Sequence, residues 1–530
     1  TAQAAHDQRA HRSAQGDLGI GALGQERLDP PIHGLCHRMP GPRMKQCRAQ
    51  DAEDPQFRLC RSEPCRSFDL REKIVQPAVH RFERMESEKG AAHEGGEAVE
   101  RTGGVALKSL QEQGLPVIDP SRCFTFMDHI VSFRPGRGRD EARSPGGEAF
   151  ILETRMLASN AGIEIIDTDN RDQGIVHVAA PELGIALPGF TVMCPDSHTC
   201  SLGALGALAW GIGSSEAEHI LATGTLRAQK PRQMRIRISG EFGAGVTAKD
   251  LALFLIARHG AKGANRCAIE FCGSAIEAMP VEGRLTLCNM AVEFAAFTAL
   301  IAPDEKTHAF VRARRLAPAG SQLALAEAHW RTLVSDPDSV FDEEIVLDAG
   351  EVSAQISWGT SPEETIALGM PIPLSANIRV LNYMGLAGGQ RIEGLPIEGA
   401  FIGSCTNGRL SDLELAAEQL RGRKVAPGVR AVCVPGSKSV KREAEARGLD
   451  LVFREAGFEW GEPGCAMCFY AGGETFPPGA RVVSSTNRNF EGRQGPGVRT
   501  HLSNPAVVAA SAVAGCIAHP PRLAPQEETV

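Results

Sequence analysis

From Val117 nearly to the C-terminus, short apolar runs alternate with segments of helical period. No other feature restricts the fold as much. A strand followed by a helix and another strand builds a parallel sheet with helices packed on its faces. Ala161–Asp167 and Gly189–Met193 read as strands, the second ending at Cys194-Pro195-Asp196-Ser197-His198. Ser215 and Glu218 have capping-box spacing for a helix from about Glu216. Met234–Ile238 alternates with arginines as a strand would, and Lys249–His259 follows as a helix. Residues 305–345 are charged and partly helical. Ala400–Ile402 reads as a buried strand, and Leu410, Leu413, Ala417 and Leu420 then keep helical spacing. Arg430–Val434 and Val440–Arg447 repeat the pair, and Asn504-Pro505 opens a helix of small residues that Gly515 closes.

The chain has 530 residues, too many for one compact domain. The texture divides it into an atypical extension over 1–115 and three α/β units at 116–232, 233–345 and 346–530. In residues 1–115, Ile, Leu, Val and Phe number only 19, too few to build a core readily. Cys36, Cys47, Cys60 and Cys65 lie there among histidines, but the paired spacing of a zinc site is missing. Gly19–Gly24 fits a dinucleotide pattern formally, yet no strand precedes it, so it reads as a chance match. The net charge of −8 offers no basic excess for a nucleic acid. The longest strongly apolar run, Ala506–Ala518, falls short of the roughly 20 residues a membrane helix needs. Fifteen cysteines without a secretory signal suggest the cytoplasm, where thiols are free, metal-bound or catalytic.

Four groups of residues carry chemistry. Cys465-Ala466-Met467-Cys468 follows Glu-Pro-Gly in a loop, and Cys405 lies sixty residues earlier, just after the Ala400–Ile402 strand. A lone Cys-x2-Cys allows a redox pair, half a zinc site or an accident. Three thiolates from two strand–loop junctions also suit an iron–sulfur cube with one iron left open as a Lewis acid. Ser485–Arg493 places Asn487, Arg488 and Arg493 in a glycine-bearing loop after Val482-Val483, and an arginine fork matches a carboxylate. Asp128-His129, His177 and Asp196-Ser197-His198 put imidazoles beside carboxylates, suited to delivering a proton to a leaving hydroxyl. Asn289 and Glu293, four apart on one expected helix, would share a face that is mostly buried.

Together these segments resemble the aconitase superfamily, in unbroken order over about residues 117–518, and within it the large subunits of the isopropylmalate isomerases. The resemblance implies a hydro-lyase of leucine biosynthesis that interconverts 2- and 3-isopropylmalate by dehydration and rehydration. A homoaconitase, a methylmalate-type dehydratase and a non-catalytic iron-sensing relative are the alternatives. It implies one [4Fe–4S] cluster held by Cys405, Cys465 and Cys468. Asp128, His129, His177, Asp196 and His198 would form the acid–base shell. Asn289 and Glu293 would orient water, and Asn487, Arg488 and Arg493 would clamp the carboxylate of a small 2-hydroxy diacid. The implied fold has three α/β/α-layered domains around the cluster. The family's swivelling domain carries a base in a Gly-Ser loop beside an arginine. No Gly-Ser pair here has an arginine within the next two residues, and the chain ends shortly after Cys516. A separate small subunit is therefore expected to supply that base, with neither nucleic acid nor membrane as partner.

Overall fold

The structure, a computed structural model, describes residues 95–99 and 102–521. The cysteines and the glycine motif noted before residue 70 lie outside these residues. Three all-parallel sheets succeed one another along the chain.

The first sheet runs in the order Glu164–Ile166, Cys123–Phe126, Gly95–Val99, Thr191–Cys194, Leu208–Gly211. Its central strand lies upstream of the change in texture at residue 115. Helix Thr102–Gln113 follows it and buries Ala106, Leu107 and Leu110 against Leu157, Ala158, Ala217 and Leu221. One helix face thus closes the sheet despite the low apolar content of the region as a whole. The helix expected from Glu216 begins at Ser214. The Glu216 carboxylate accepts the Gly213 N–H at 2.8 Å, so the cap forms from Glu216, not Glu218.

The second sheet has the order Thr298–Leu300, Ala268–Cys272, Gln233–Ser239, Glu343–Asp348. Met234, Ile236 and Ile238 are buried, while Arg235 turns outward and pairs with Glu344 at 2.9 Å. Residues 305–345 contain helices Glu305–Arg312 and Ser321–Trp330 before the edge strand Glu343–Asp348, which straddles residue 345. That strand is largely solvent-facing, which leaves it only a faint apolar signal. Asn289 and Glu293 do not share one α-helix. The α-helix Val281–Met290 passes into a 3₁₀ turn, Ala291–Phe294.

The third sheet has the order Phe458–Trp460, Arg430–Cys433, Gly399–Ile402, Arg481–Ser484, Arg499–Leu502. Two of its three inner strands, Gly399–Ile402 and Arg481–Ser484, are buried along their whole length, as strands covered on both faces must be. Helix Pro505–Ala514 lies in this core. Its small side chains permit close approach, the Asn504 side chain accepts the Val507 N–H at 3.0 Å, and Gly515 closes it in a left-handed conformation (φ 73°). No helix among the described residues is long and apolar enough to cross a membrane.

Candidate functional site

In parallel α/β sheets, ligand sites form beyond the carboxyl ends of the strands. Asp128 and His129 follow strand Cys123–Phe126, and Asp196 and His198 follow Thr191–Cys194. Cys405 follows Gly399–Ile402, Asn487 and Arg488 follow Arg481–Ser484, and Cys465 and Cys468 follow Phe458–Trp460. Hydrogen bonds lock these loops together. The Cys465 N–H donates to the Asp128 carbonyl at 2.9 Å. Gln173 donates to the carbonyls of Met127 (2.8 Å) and Pro463 (3.2 Å). Arg143 donates to the carbonyls of His129 and Phe469, both at 2.9 Å, and to that of Ala466.

Asp196 is the hub of the acid–base group. One carboxylate oxygen meets His177 Nε2 at 2.9 Å and accepts the His198 N–H at 2.7 Å. The other meets His129 Nε2 at 3.1 Å. Asp128 sits against His129 Nδ1 at 2.6 Å and accepts the Val176 N–H at 2.9 Å. Burial alone would neutralise Asp196, but His177, His129 and His198 hold its carboxyl well below the usual range. Burial likewise opposes a charge on His129, but Asp128 and Asp196 raise it well above an ordinary imidazole. Both of its ring nitrogens thus face carboxylate oxygens, an arrangement that favours the protonated imidazole. His198 Nε2 lies 2.9 Å from Glu293, which also accepts from Arg488 Nε at 2.6 Å.

The three cysteines are buried and free. Asn289 and Asn487 aim amide N–H groups at Cys405 Sγ, at 3.2 and 3.4 Å. Cys468 Sγ lies 3.7 Å from the Asn487 amide oxygen and 3.6 Å from an Arg493 guanidinium nitrogen. As a bare thiol Cys405 is pushed up to about 12 by burial. Convergent N–H donors and a guanidinium instead suit sulfurs that carry negative charge. This donor set fits a soft, thiolate-ligated iron group. Among the described residues no three His, Cys, Asp or Glu side chains converge as they would on a single metal ion.

The sequence-derived residues thus fall into one site, with two rearrangements. Asn487 is fully buried among the sulfurs and 3.3 Å from Asn289 Oδ1, while Arg488 and Arg493 lie nearer solvent. Arg493 lies over the rings of Phe469 and Phe490, 5.5 and 5.3 Å from their centroids. Asn289 turns to the sulfurs and Glu293 to His198 and Arg488, so the change from α to 3₁₀ geometry sends the two side chains to different tasks. Sequence reading missed the supports. Ser201 accepts from Asn289 at 2.8 Å, and Thr406 donates to its amide oxygen at 2.8 Å. Arg409, buried, donates to the carbonyls of Thr406 (3.0 Å) and His177 (3.2 Å). Ser404 and Ala466, each beside a cysteine, have φ of 80° and 46°, so both thiol loops hold strained backbone. Only the adjacency of Thr406 and Arg409 to Cys405 could have flagged any of these.

The model of the aconitase family (aconitate hydratase) matches residues 80–515. The 3-isopropylmalate dehydratase large subunit 1 of Bradyrhizobium diazoefficiens is 51% identical over 426 residues, 78% of this chain and 89% of that protein. Among solved structures, the holo-form of aconitase X from Thermococcus kodakaraensis is 14% identical with a TM-score of 0.40, covering 75% of this chain and 84% of that one. A family match across most of the chain, coinciding with the loops that gather the thiols and histidines, makes this chain a member of the aconitase family.

Proposed function

We propose that the chain is the large subunit of a hydro-lyase that interconverts 2-isopropylmalate and 3-isopropylmalate in leucine biosynthesis. One observation carries the hydro-lyase reading: three free, buried thiols, two of them met by N–H donors, stand beside an Asp196-centred histidine array. The isopropylmalate substrate is the reading that the Bradyrhizobium relative's name supports. Cys405, Cys465 and Cys468 would hold one [4Fe–4S] cluster per chain. When bound, it supplies an open iron that polarises the leaving hydroxyl.

The protein's part is binding and proton management. Arg488 and Arg493 present guanidinium groups to a substrate carboxylate. Asp196 holds His129 and His177 in place, and this imidazole–carboxylate array, backed by Asp128, supplies a proton as the hydroxyl departs. Glu293 and His198 orient the water that returns, and Asn289 and Asn487 steady the sulfurs. The carbon-bound proton goes to a base on a small subunit, docked over the cluster-bearing face. That assignment is supported by the lack of a Gly-Ser-Arg-type loop in this sequence and by the large-subunit name of the relative. The swivel domain would then be absent from this chain, with three layered domains, the first reaching back to Gly95–Val99 and the second taking in Glu343–Asp348. The free cysteines favour a cytoplasmic enzyme.

The test is to reconstitute the chain anaerobically with iron and sulfide and assay it with and without the small subunit of the same genome. Broad brown visible absorbance and diacid turnover only in the mixture are expected. Stoichiometric zinc without iron, or equal turnover by the large chain alone, would overturn the reading.

A further inference from the structure

Lys249 is a lysine with none of its surface exposed, one of the residue types least expected in a core. It lies in the first turn of helix Ala248–His259, where the helix dipole disfavours a cation. No carboxylate pairs with it among the described residues. Its ammonium donates to the Ser485 carbonyl at 3.1 Å and to the Thr486 carbonyl, and it lies 3.8 Å from Met290 Sδ. The adjacent Asp250 is engaged elsewhere, by the Gln355 N–H and the Asn504 amide, each at 2.8 Å. A methionine would fill the same volume without the desolvation penalty of a charge. A cation kept here needs negative charge nearby.

The two carbonyls it holds belong to the residues just before Asn487. That side chain reaches Cys405 Sγ at 3.4 Å through its N–H, and Cys468 Sγ lies 3.7 Å from its oxygen. Three thiolates outweigh the charge of a dicationic iron–sulfur core, so the loaded site is net negative. Burial pulls the Lys249 ammonium down to about 8, while Glu293, Cys405, Asp412 and Cys468 oppose that pull. Lys249 thus stands in the same buried neighbourhood as the thiols, on the protein side of the site.

We propose that Lys249 is a positioning residue for the iron–sulfur site: its ammonium pins the Ser485 and Thr486 carbonyls so that the Asn487 N–H is held on Cys405 Sγ, and its charge offsets the thiolates. The inference rests on the reading of a cluster given above. Charge near a cluster and hydrogen bonds to its sulfurs set its potential, and residues that orient ligands typically change metal retention 10–100-fold when lost.

The test uses the reconstituted full chain with its small subunit, comparing wild type with Lys249→Met and Lys249→Arg. Iron per chain, the rate of iron loss in air and the cluster potential by EPR-monitored titration are read. Lys249→Met should shift the potential to a more negative value and speed iron loss by about tenfold or more, and Lys249→Arg should restore both in part. Wild-type potential and iron retention in Lys249→Met would overturn the proposal. If the methionine variant does not fold, Lys249→Gln keeps a donor without the charge, and an unshifted potential there overturns it equally. A wild-type chain that takes up no iron would instead overturn the cluster reading itself.

Discussion

Asp196→Asn is the sharpest test of the acid–base assignment. The side chain keeps its size and loses its charge. In the structure its carboxylate meets two imidazoles, His177 at 2.9 Å and His129 at 3.1 Å, and accepts the His198 N–H at 2.7 Å. A hydrogen bond to a charged group is worth about 1.5–3 kcal/mol. Weakening the two imidazole contacts would cost about 3–6 kcal/mol if the transition state used both fully. That corresponds to a fall in kcat/KM of roughly 10²- to 10⁴-fold. The pH profile should move as well. Asp128 and Asp196 raise the pKa of His129, against burial. Removing one of those charges lowers its pKa, so the alkaline limb of kcat/KM should shift to lower pH. The assay is formation of the unsaturated diacid, followed by ultraviolet absorbance in the reconstituted two-subunit enzyme, with iron content measured on the same sample. A variant with normal iron, kcat/KM within threefold of wild type and an unmoved alkaline limb would refute the role given to Asp196.

Arg493→Lys keeps the charge but loses the planar fork, so kcat/KM should fall by on the order of a hundredfold, from about 2–3 kcal/mol of charge-assisted hydrogen bonding. Titration of KM and kcat separately, with an unchanged cluster spectrum, checks this. Glu182, on the helix that carries His177, accepts the Ser437 hydroxyl at 2.6 Å. Burial pushes its carboxyl up to about 7 despite Ser437, Arg314, Arg409 and Arg442. The folded chain then binds the extra proton between roughly pH 4.5 and 7, so this group makes stability fall as pH rises through that window and level off above it. Glu182→Gln should flatten that slope and stabilise the apo-chain at pH 8 by about 1–3 kcal/mol, discounted for partial exposure; parallel urea midpoints for the two proteins at pH 5.5 and 8 would count against it. A Cβ at Gly203 would lie 1.7 Å from the Ala299 carbonyl oxygen, so Gly203→Ala should cost about 3 kcal/mol or more in urea unfolding.

How much of this was legible beforehand depends on the distance over which each signal acts. Strands such as Gln233–Ser239 and Gly399–Ile402, and helices such as Ala248–His259 and Pro505–Ala514, are announced by periodicity and end signals within a dozen residues. Glu343–Asp348 was faint because an exposed edge strand lacks an apolar face. Gly95–Val99 was hidden because its place at the centre of the first sheet comes from partners at Cys123–Phe126 and Thr191–Cys194, not from its own composition.

The sequence by itself determined which chemical groups the site contains: three thiols, a set of histidines beside carboxylates, and two arginines behind a strand. Residue type fixes proton affinity, metal preference and hydrogen-bonding capacity, and motif order ties these groups to one family. Only the tertiary structure decided who faces whom. Asp196 became a hub because loops after two strands of one sheet and helix Val176–Leu183 bring His129, His177 and His198 to one carboxylate. Asn289 and Glu293 parted because an α-helix tightened into a 3₁₀ turn between them, rotating neighbours that a regular helix would have kept on one face. Lys249 shows the limit most clearly. Its place in a helical repeat says nothing of charge buried without a carboxylate, since the carbonyls it holds lie more than two hundred residues away along the chain.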